Sequence, residues 1–164
     1  MKVRISHLKE GLHTIELSGT PEKFDLTGVE FFKNSIFVLL EIDKQRDTLC
    51  IRQNIKTIGE FECDRCAEPF SGEIVSEDRV VYTNDREMIK YDDTLRYIAP
   101  DQREIDISED VRDAALLAIP AKKLCEKNCK GICLKCGKNL NKNQCNCTQT
   151  ISDPRWEALK KLVK

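Results

Sequence analysis

Six cysteines crowd into residues 125–147 of this chain: Cys125, Cys129, Cys133, Cys136, Cys145 and Cys147, spaced C-x3-C-x3-C-x2-C-x8-C-x-C. A further pair, Cys63-Asp-Arg-Cys66, stands about sixty residues upstream. A disulfide demands a narrow range of Cα separations and side-chain directions, which near neighbours in a chain seldom meet. A C-x2-C turn aims two sulfurs at one point, and a tetrahedral zinc ion takes two such pairs. The chain is therefore expected to fold around zinc, and its function to lie on the surface that the metal holds in place.

The surroundings of the cysteines agree with reduced thiols. Residues 1–17, MKVRISHLKEGLHTIEL, contain no apolar core and no small-residue cleavage site, so they do not read as an export signal. No apolar run is long enough for a membrane-spanning helix. A cytoplasmic protein keeps its thiols reduced, and clustered cysteines there read as metal ligands. The chain has 164 residues, 40% hydrophobic and 34% charged, which suits one folded domain with at most a small appendage.

The apolar spacing predicts an α+β fold in two parts. Residues 1–120 form an antiparallel β-rich body with one packed helix near 107–118. Residues 121–164 form a small cysteine-rich zinc module closed by a short helix. Alternation over Met1–Leu8, Leu12–Leu17 and Thr48–Ile58 marks strands, and Ile36–Ile42 (IFVLLEI) has the length of a buried one. The polar stretch Asp43–Asp47 is expected to turn, giving a hairpin. The second strand of that hairpin runs on into Cys63–Cys66, and the chain returns from Pro69, so this pair sits near a strand-to-strand turn. Residues 83–104 show no steady period and read as a long, partly disordered connection. The helix can be capped by Asp106 or Ser108; Leu116, Leu117 and Ile119 widen its apolar face, and Pro120 ends it. The terminal helix takes Ser152 or Asp153 as cap and Pro154 as first residue, with Trp156, Leu159 and Leu162 on one face.

In Cys133-Leu-Lys-Cys136-Gly137 a glycine follows the second cysteine, as in a zinc knuckle, where backbone N–H groups point at sulfur. Cys145-Asn-Cys147 supplies two more sulfurs across a turn-rich segment. The first expected site is therefore Cys133, Cys136, Cys145 and Cys147. Cys63, Cys66, Cys125 and Cys129 make a second possible site. The alternative is a single C-terminal site that chooses among the six cysteines and leaves Cys63 and Cys66 without metal. Cys50, inside a strand, reads as a small buried residue. His7 and His13 lack ligand spacing. The six phenylalanines, Phe24, Phe31, Phe32, Phe37, Phe61 and Phe70, read mostly as core.

Charge divides the chain. Residues 121–164 hold ten lysines and Arg155 against Glu126, Asp153 and Glu157, a net charge of +8, which leaves −9 on the rest. Lys122, Lys123, Lys127, Lys130, Lys135, Lys138 and Lys142 are candidate contacts for nucleic acid phosphates. The alternative is that they only keep a small module soluble. No Gly-rich phosphate loop, H-E-x-x-H or G-x-S-x-G motif is present, so no catalytic residues are assigned. A C-x2-C pair can also serve as a dithiol switch, but this one does not sit in a βαβ pattern.

The run Leu124–Asn141 (LCEKNCKGICLKCGKNLN), followed by Cys145-Asn-Cys147 and Asp153-Pro-Arg155, resembles the YceD family, the large ribosomal RNA subunit accumulation proteins. Cys63-Asp-Arg-Cys66 and the helix ending at Pro120 are similar to that family too. The resemblance implies a non-catalytic role in accumulation or maturation of 23S ribosomal RNA. The implied partner is ribosomal RNA or a ribosomal protein of the large subunit. A thiol-based redox or zinc-responsive regulator is the competing class.

Overall fold

The apolar alternation of residues 48–58 does not stop at Ile58. It runs on through Phe61, so strand β4 spans Thr48–Glu62 and forms the spine of the sheet. Residues 1–92 and 94–147 are described by the computed structural model of the chain. Around β4 lie β2 (Gly11–Gly19), β3 (Ile36–Gln45), β5 (Pro69–Thr83) and β6 (Leu95–Tyr97), in the order β2-β3-β4-β5-β6. All neighbours are antiparallel except β6, which runs parallel to β5. The first eight residues do not join this sheet. Only β1 (Lys2–Arg4) is a strand, and it pairs with β7 (Glu104–Asp106).

Period-2 geometry sends alternate residues of each strand to opposite faces. On one face Val38, Leu40, Ile42, Leu49, Ile51, Ile55, Ile74 and Tyr82 are buried. Burying each aliphatic side chain is worth about 2 kcal/mol relative to leaving it in water. Helix α2 (Ser108–Leu117) packs against β4, β5 and the 3-10 turn Pro21–Phe24, bringing Val111, Ala114 and Ala115 into the same core. The other face of the sheet keeps large apolar side chains in solvent.

Several expectations need correction. The turn between β3 and β4 is only Arg46–Asp47, because Gln45 already pairs with Thr48. Residues 83–104 are not a structureless connection. They hold helix α1 (Arg86–Tyr91), capped by the Asp85 carboxylate, and then β6. Elements of six and three residues are too short to show a period. Helix α2 buries a narrower stripe than expected: Leu116 is 37% and Leu117 87% exposed. Its N-cap is Ile107, with no side-chain cap. The Asp106 carboxylate instead accepts from the Ser108 backbone N–H (3.0 Å) and hydroxyl (2.7 Å) and pairs with the N-terminal amine at 2.8 Å. Those donors hold the Asp106 carboxyl well below the usual range. Cys50 is half-buried on the open face, its Sγ 2.9 Å from Arg79 Nε. Phe37 is 59% exposed, also on that face, while Phe24, Phe32 and Phe61 are core. The expected terminal helix lies outside the described residues.

Sequence pattern did not reveal the polar contact beneath α2. Gln53, at an inward position of β4, donates to the Asp110 backbone carbonyl (3.2 Å) and to Asp78 Oδ2 (3.1 Å). Asp110 Oδ2 accepts from the Tyr82 hydroxyl at 2.6 Å. Arg96 Nη2 lies 2.6 Å from Asp110 Oδ1, an ion pair in which no N–H is aimed at the oxygen. Burial raises the Asp110 carboxyl, and burial together with that carboxylate raises the Tyr82 phenol. A buried polar group without a partner costs about 1–3 kcal/mol, so this network pins α2 in one register on the sheet. Among the described residues no helix is long and apolar enough to cross a membrane.

Candidate metal centres

The β4–β5 hairpin ends at Glu62 paired with Pro69, and the six residues between them form its tip. Two backbone bonds shape that tip: Cys63 N–H to Glu68 O and Ala67 N–H to Cys63 O, each 2.9 Å. Ala67 is left-handed, with φ 55°. The turn points the Cys63 and Cys66 sulfurs the same way, toward Cys125 and Cys129. The Sγ–Sγ distances are 3.8 Å for Cys63–Cys129 and 3.7 Å for Cys66–Cys125. All four sulfurs lie within 4.8 Å of one another. A tetrahedral zinc with bonds of about 2.3 Å places its sulfurs about 3.8 Å apart. Both measured separations match such an ion, and all four sulfurs converge closely enough to share it.

Hydrogen bonds dock the C-terminal segment on this tip independently of sulfur. Asp64 N–H donates to Lys123 O at 2.8 Å, and Lys123 N–H to Asp64 Oδ2 at 2.6 Å. Arg65 Nη1 donates to Cys129 O (2.9 Å), and Ile132 N–H to Arg65 O (3.1 Å). Gly131 sits where a side chain is excluded twice over. Its φ is +76°, and a Cβ there would lie 3.0 Å from Arg65 O. Glu68 accepts from Asn139 Nδ2 (3.1 Å) and Lys142 Nζ (2.7 Å); the Lys142 hydrogen bond, most of all, lowers its carboxyl. Asn141 Nδ2 lies 3.2 Å from Cys129 Sγ.

The second group is Cys133, Cys136, Cys145 and Cys147, whose sulfurs also lie within 4.8 Å of one another. Its knuckle closes by Gly137 N–H to Cys133 O and Cys133 N–H to Lys138 O, both 2.8 Å. Gly137 takes φ +70°, as its place after the second cysteine required. Cys133 is buried, Cys136 exposed, and Cys145 and Cys147 half-buried. The two groups adjoin, because Leu140 N–H donates to Gly131 O between them at 2.9 Å.

The thiols in each group hold one another in check. The backbone N–H of Cys125, then those of Arg65 and Cys66, hold Cys63 down at about 6. Backbone N–H groups of Cys136 and Lys135 do the same for Cys133, again to about 6. Burial pushes Cys125 up to about 12, and the neighbouring Cys136 sulfur, then burial, push Cys147 up to about 12. Four sulfurs this close cannot all ionise on their own. A divalent cation removes the conflict by stabilising every thiolate. The two groups can therefore each hold a metal ion. Soft all-sulfur sets of this shape suit zinc or iron.

Of the seven lysines singled out, Lys122, Lys127, Lys130, Lys135, Lys138 and Lys142 are exposed. Lys123 is half-buried, its Nζ 5.4 Å from the centre of the Phe31 ring. Sequence reasoning did not find the clasp made by Asp64, Arg65, Glu68, Asn139 and Asn141. Its sequence signal was polar residues inside and beside the cysteine turns, which names no partner.

The family model described as "Large ribosomal RNA subunit accumulation protein YceD" matches residues 51–163. The Arabidopsis thaliana protein named large ribosomal RNA subunit accumulation protein YCED homolog 1, chloroplastic, is 29% identical over 150 residues, 74% of this chain and 46% of the relative. The Zea mays protein of the same name is 29% identical over 153 residues, 75% of this chain and 52% of the relative. The chain spans about half the length of the curated relatives it matches. No solved structure matches it. The family match takes in more than half of the chain and every cysteine of both groups, so the chain belongs to the YceD family of large ribosomal RNA subunit accumulation proteins.

Proposed function

We propose that the protein is a non-catalytic factor for accumulation of large-subunit ribosomal RNA, and that its zinc-held C-terminal segment presents lysines to RNA phosphates. The observation that carries this reading is family membership combined with the placement of charge. Lys122, Lys127, Lys130, Lys135 and Lys138 are exposed on a segment rich in metal-ligating residues and enter no ion pair among the described residues. Zinc, held by Cys63, Cys66, Cys125 and Cys129 and by Cys133, Cys136, Cys145 and Cys147, would supply cross-links that fix the backbone. Four protein ligands per ion leave no open coordination position, which supports a structural rather than a catalytic metal. Lysines spaced along a rigid segment meet phosphates without reading bases. In this reading the protein works where ribosomes assemble, in the cytoplasm of its cell; the two plant relatives are named chloroplastic.

The test is genetic. Loss of the gene should lower the ratio of large-subunit to small-subunit ribosomal RNA, and the wild-type gene should restore it. A normal ratio with normal large subunits in the deleted strain overturns the reading.

A further inference from the structure

The open face of the five-stranded sheet has a composition that its position in the fold does not require. Pairing aligns Ser18, Phe37, Lys56 and Val75 in one row across β2 to β5. Ile58, opposite Glu73, stands in the next row. Phe37 is 59%, Ile58 52% and Val75 53% exposed. Phe37 and Val75 stand directly opposite Lys56 on its two neighbouring strands, and Ile58 follows it on the same face of β4. Beside them Phe37, Lys56, Ile58 and Glu73 line a shallow depression of about 380 Å³. A solvated sheet face normally carries polar side chains, and a contiguous apolar patch with a polar rim marks a contact surface.

The rim states what kind of contact. Glu16, Glu60 and Glu73 border the patch and enter no ion pair among the described residues. Glu77 shares Arg52 with Glu41, at 3.6 and 3.3 Å. Lys56 is the single cation among the patch residues. Carboxylates so placed repel nucleic acid phosphates and anionic lipid. Two copies meeting through this same face would set carboxylate against carboxylate. A cationic polypeptide satisfies both parts of the surface: its lysines or arginines meet the rim, and an apolar side chain fills the depression.

We infer that the open sheet face around Phe37, Ile58 and Val75 docks a basic polypeptide through the carboxylates of Glu16, Glu60 and Glu73. The surface is separate from the lysines assigned to RNA, so the inference stands or falls apart from that assignment. It gives the molecule two faces of opposite charge, one for phosphate and one for a basic protein.

The test is a benzophenone photo-crosslinking residue at Val75 of the full-length chain, irradiated in its own cells, with cross-linked products identified by mass spectrometry. The expected product is a lysine- and arginine-rich protein. Its yield should fall at least tenfold when Glu16→Lys, Glu60→Lys and Glu73→Lys are combined, and also with Ile58→Thr. It should survive Glu109→Lys, a charge reversal on helix α2, which packs against the opposite face of the sheet. It should also survive reversal of Lys122, Lys127, Lys130, Lys135 and Lys138, which removes the RNA surface alone. Thermal melting of each variant shows that it is folded. Cross-links to nucleic acid, to an acidic protein, to a second copy, to residues 148–164 of the same chain, or to nothing overturn the inference. So does a basic partner whose yield is unchanged by the glutamate reversals.

Discussion

Chelation of the metal under reducing conditions is expected to unfold residues 121–147 and leave the sheet standing. The segment has little else to fold on. Its large aliphatic side chains are Leu124, Ile132, Leu134 and Leu140, and of these Leu134 is 99% and Ile132 41% exposed. The other two are only half-buried, so each supplies less than the about 2 kcal/mol of a fully buried leucine. A structural zinc ion contributes on the order of 10 kcal/mol. The hydrogen bonds from Asp64, Arg65 and Glu68 are local and weak by comparison, about 1 kcal/mol each net. The sheet differs, because its core of Ile, Leu, Val and Phe residues contains no cysteine. Amide hydrogen exchange reads both parts at once. Protection at Cys129, Cys133, Gly137 and Leu140 should vanish on chelation, and protection in β3 and β4 should persist. Acid should have the same effect as chelator, because protons compete with the metal for thiolate and affinity falls as pH falls. A C-terminal segment that keeps its protection when reduced and metal-free contradicts this account.

RNA binding by the full-length protein should collapse with salt. Five phosphate contacts, one each from Lys122, Lys127, Lys130, Lys135 and Lys138, give a log–log salt slope of about −3.5 for single strands. Raising salt from about 50 to 200 mM should then weaken binding roughly 100-fold. Reversal of all five to glutamate should abolish binding at the higher salt and leave the bound metal in place. Fluorescence anisotropy with a large-subunit ribosomal RNA fragment measures this. Lys142 is left out because Glu68 already holds it at 2.7 Å, and Lys123 because it packs over Phe31. Affinity that is flat with salt, or unchanged by reversal, contradicts phosphate contact by these lysines.

The hairpin and the knuckle were legible because each is local. Alternation over Thr48–Ile58 fixes which face Leu49, Ile51 and Ile55 share, but the register depends on the turn being Arg46–Asp47, where the polar stretch Asp43–Asp47 suggested a longer one. Gly137 after Cys136 marks the turn of the knuckle in the sequence itself. What the sequence hid is long-range or polar. Whether Cys63 and Cys66 meet Cys125 and Cys129 depends on where α2 leaves the chain at Pro120, which no spacing encodes. Gln53 lies at an inward position where pattern expects an apolar residue, and only the Asp110 carbonyl and Asp78 explain it. Phe37 reads as core by composition; register puts it on the open face instead. Leu117 is expected to widen the apolar face of α2, yet it is 87% exposed among the described residues, because the buried stripe runs through Val111, Ala114 and Ala115.

The central claim is that one metal ion ties the β4–β5 tip to the C-terminal segment. Its most direct test is the metal content of the purified full-length chain beside that of the double variant Cys63→Ser, Cys66→Ser. Native mass spectrometry counts bound ions without assuming which site holds them. The account predicts two zinc ions per wild-type chain, one for each four-cysteine group. It predicts one in the double variant, kept by Cys133, Cys136, Cys145 and Cys147. Equal metal content in the two proteins would contradict it.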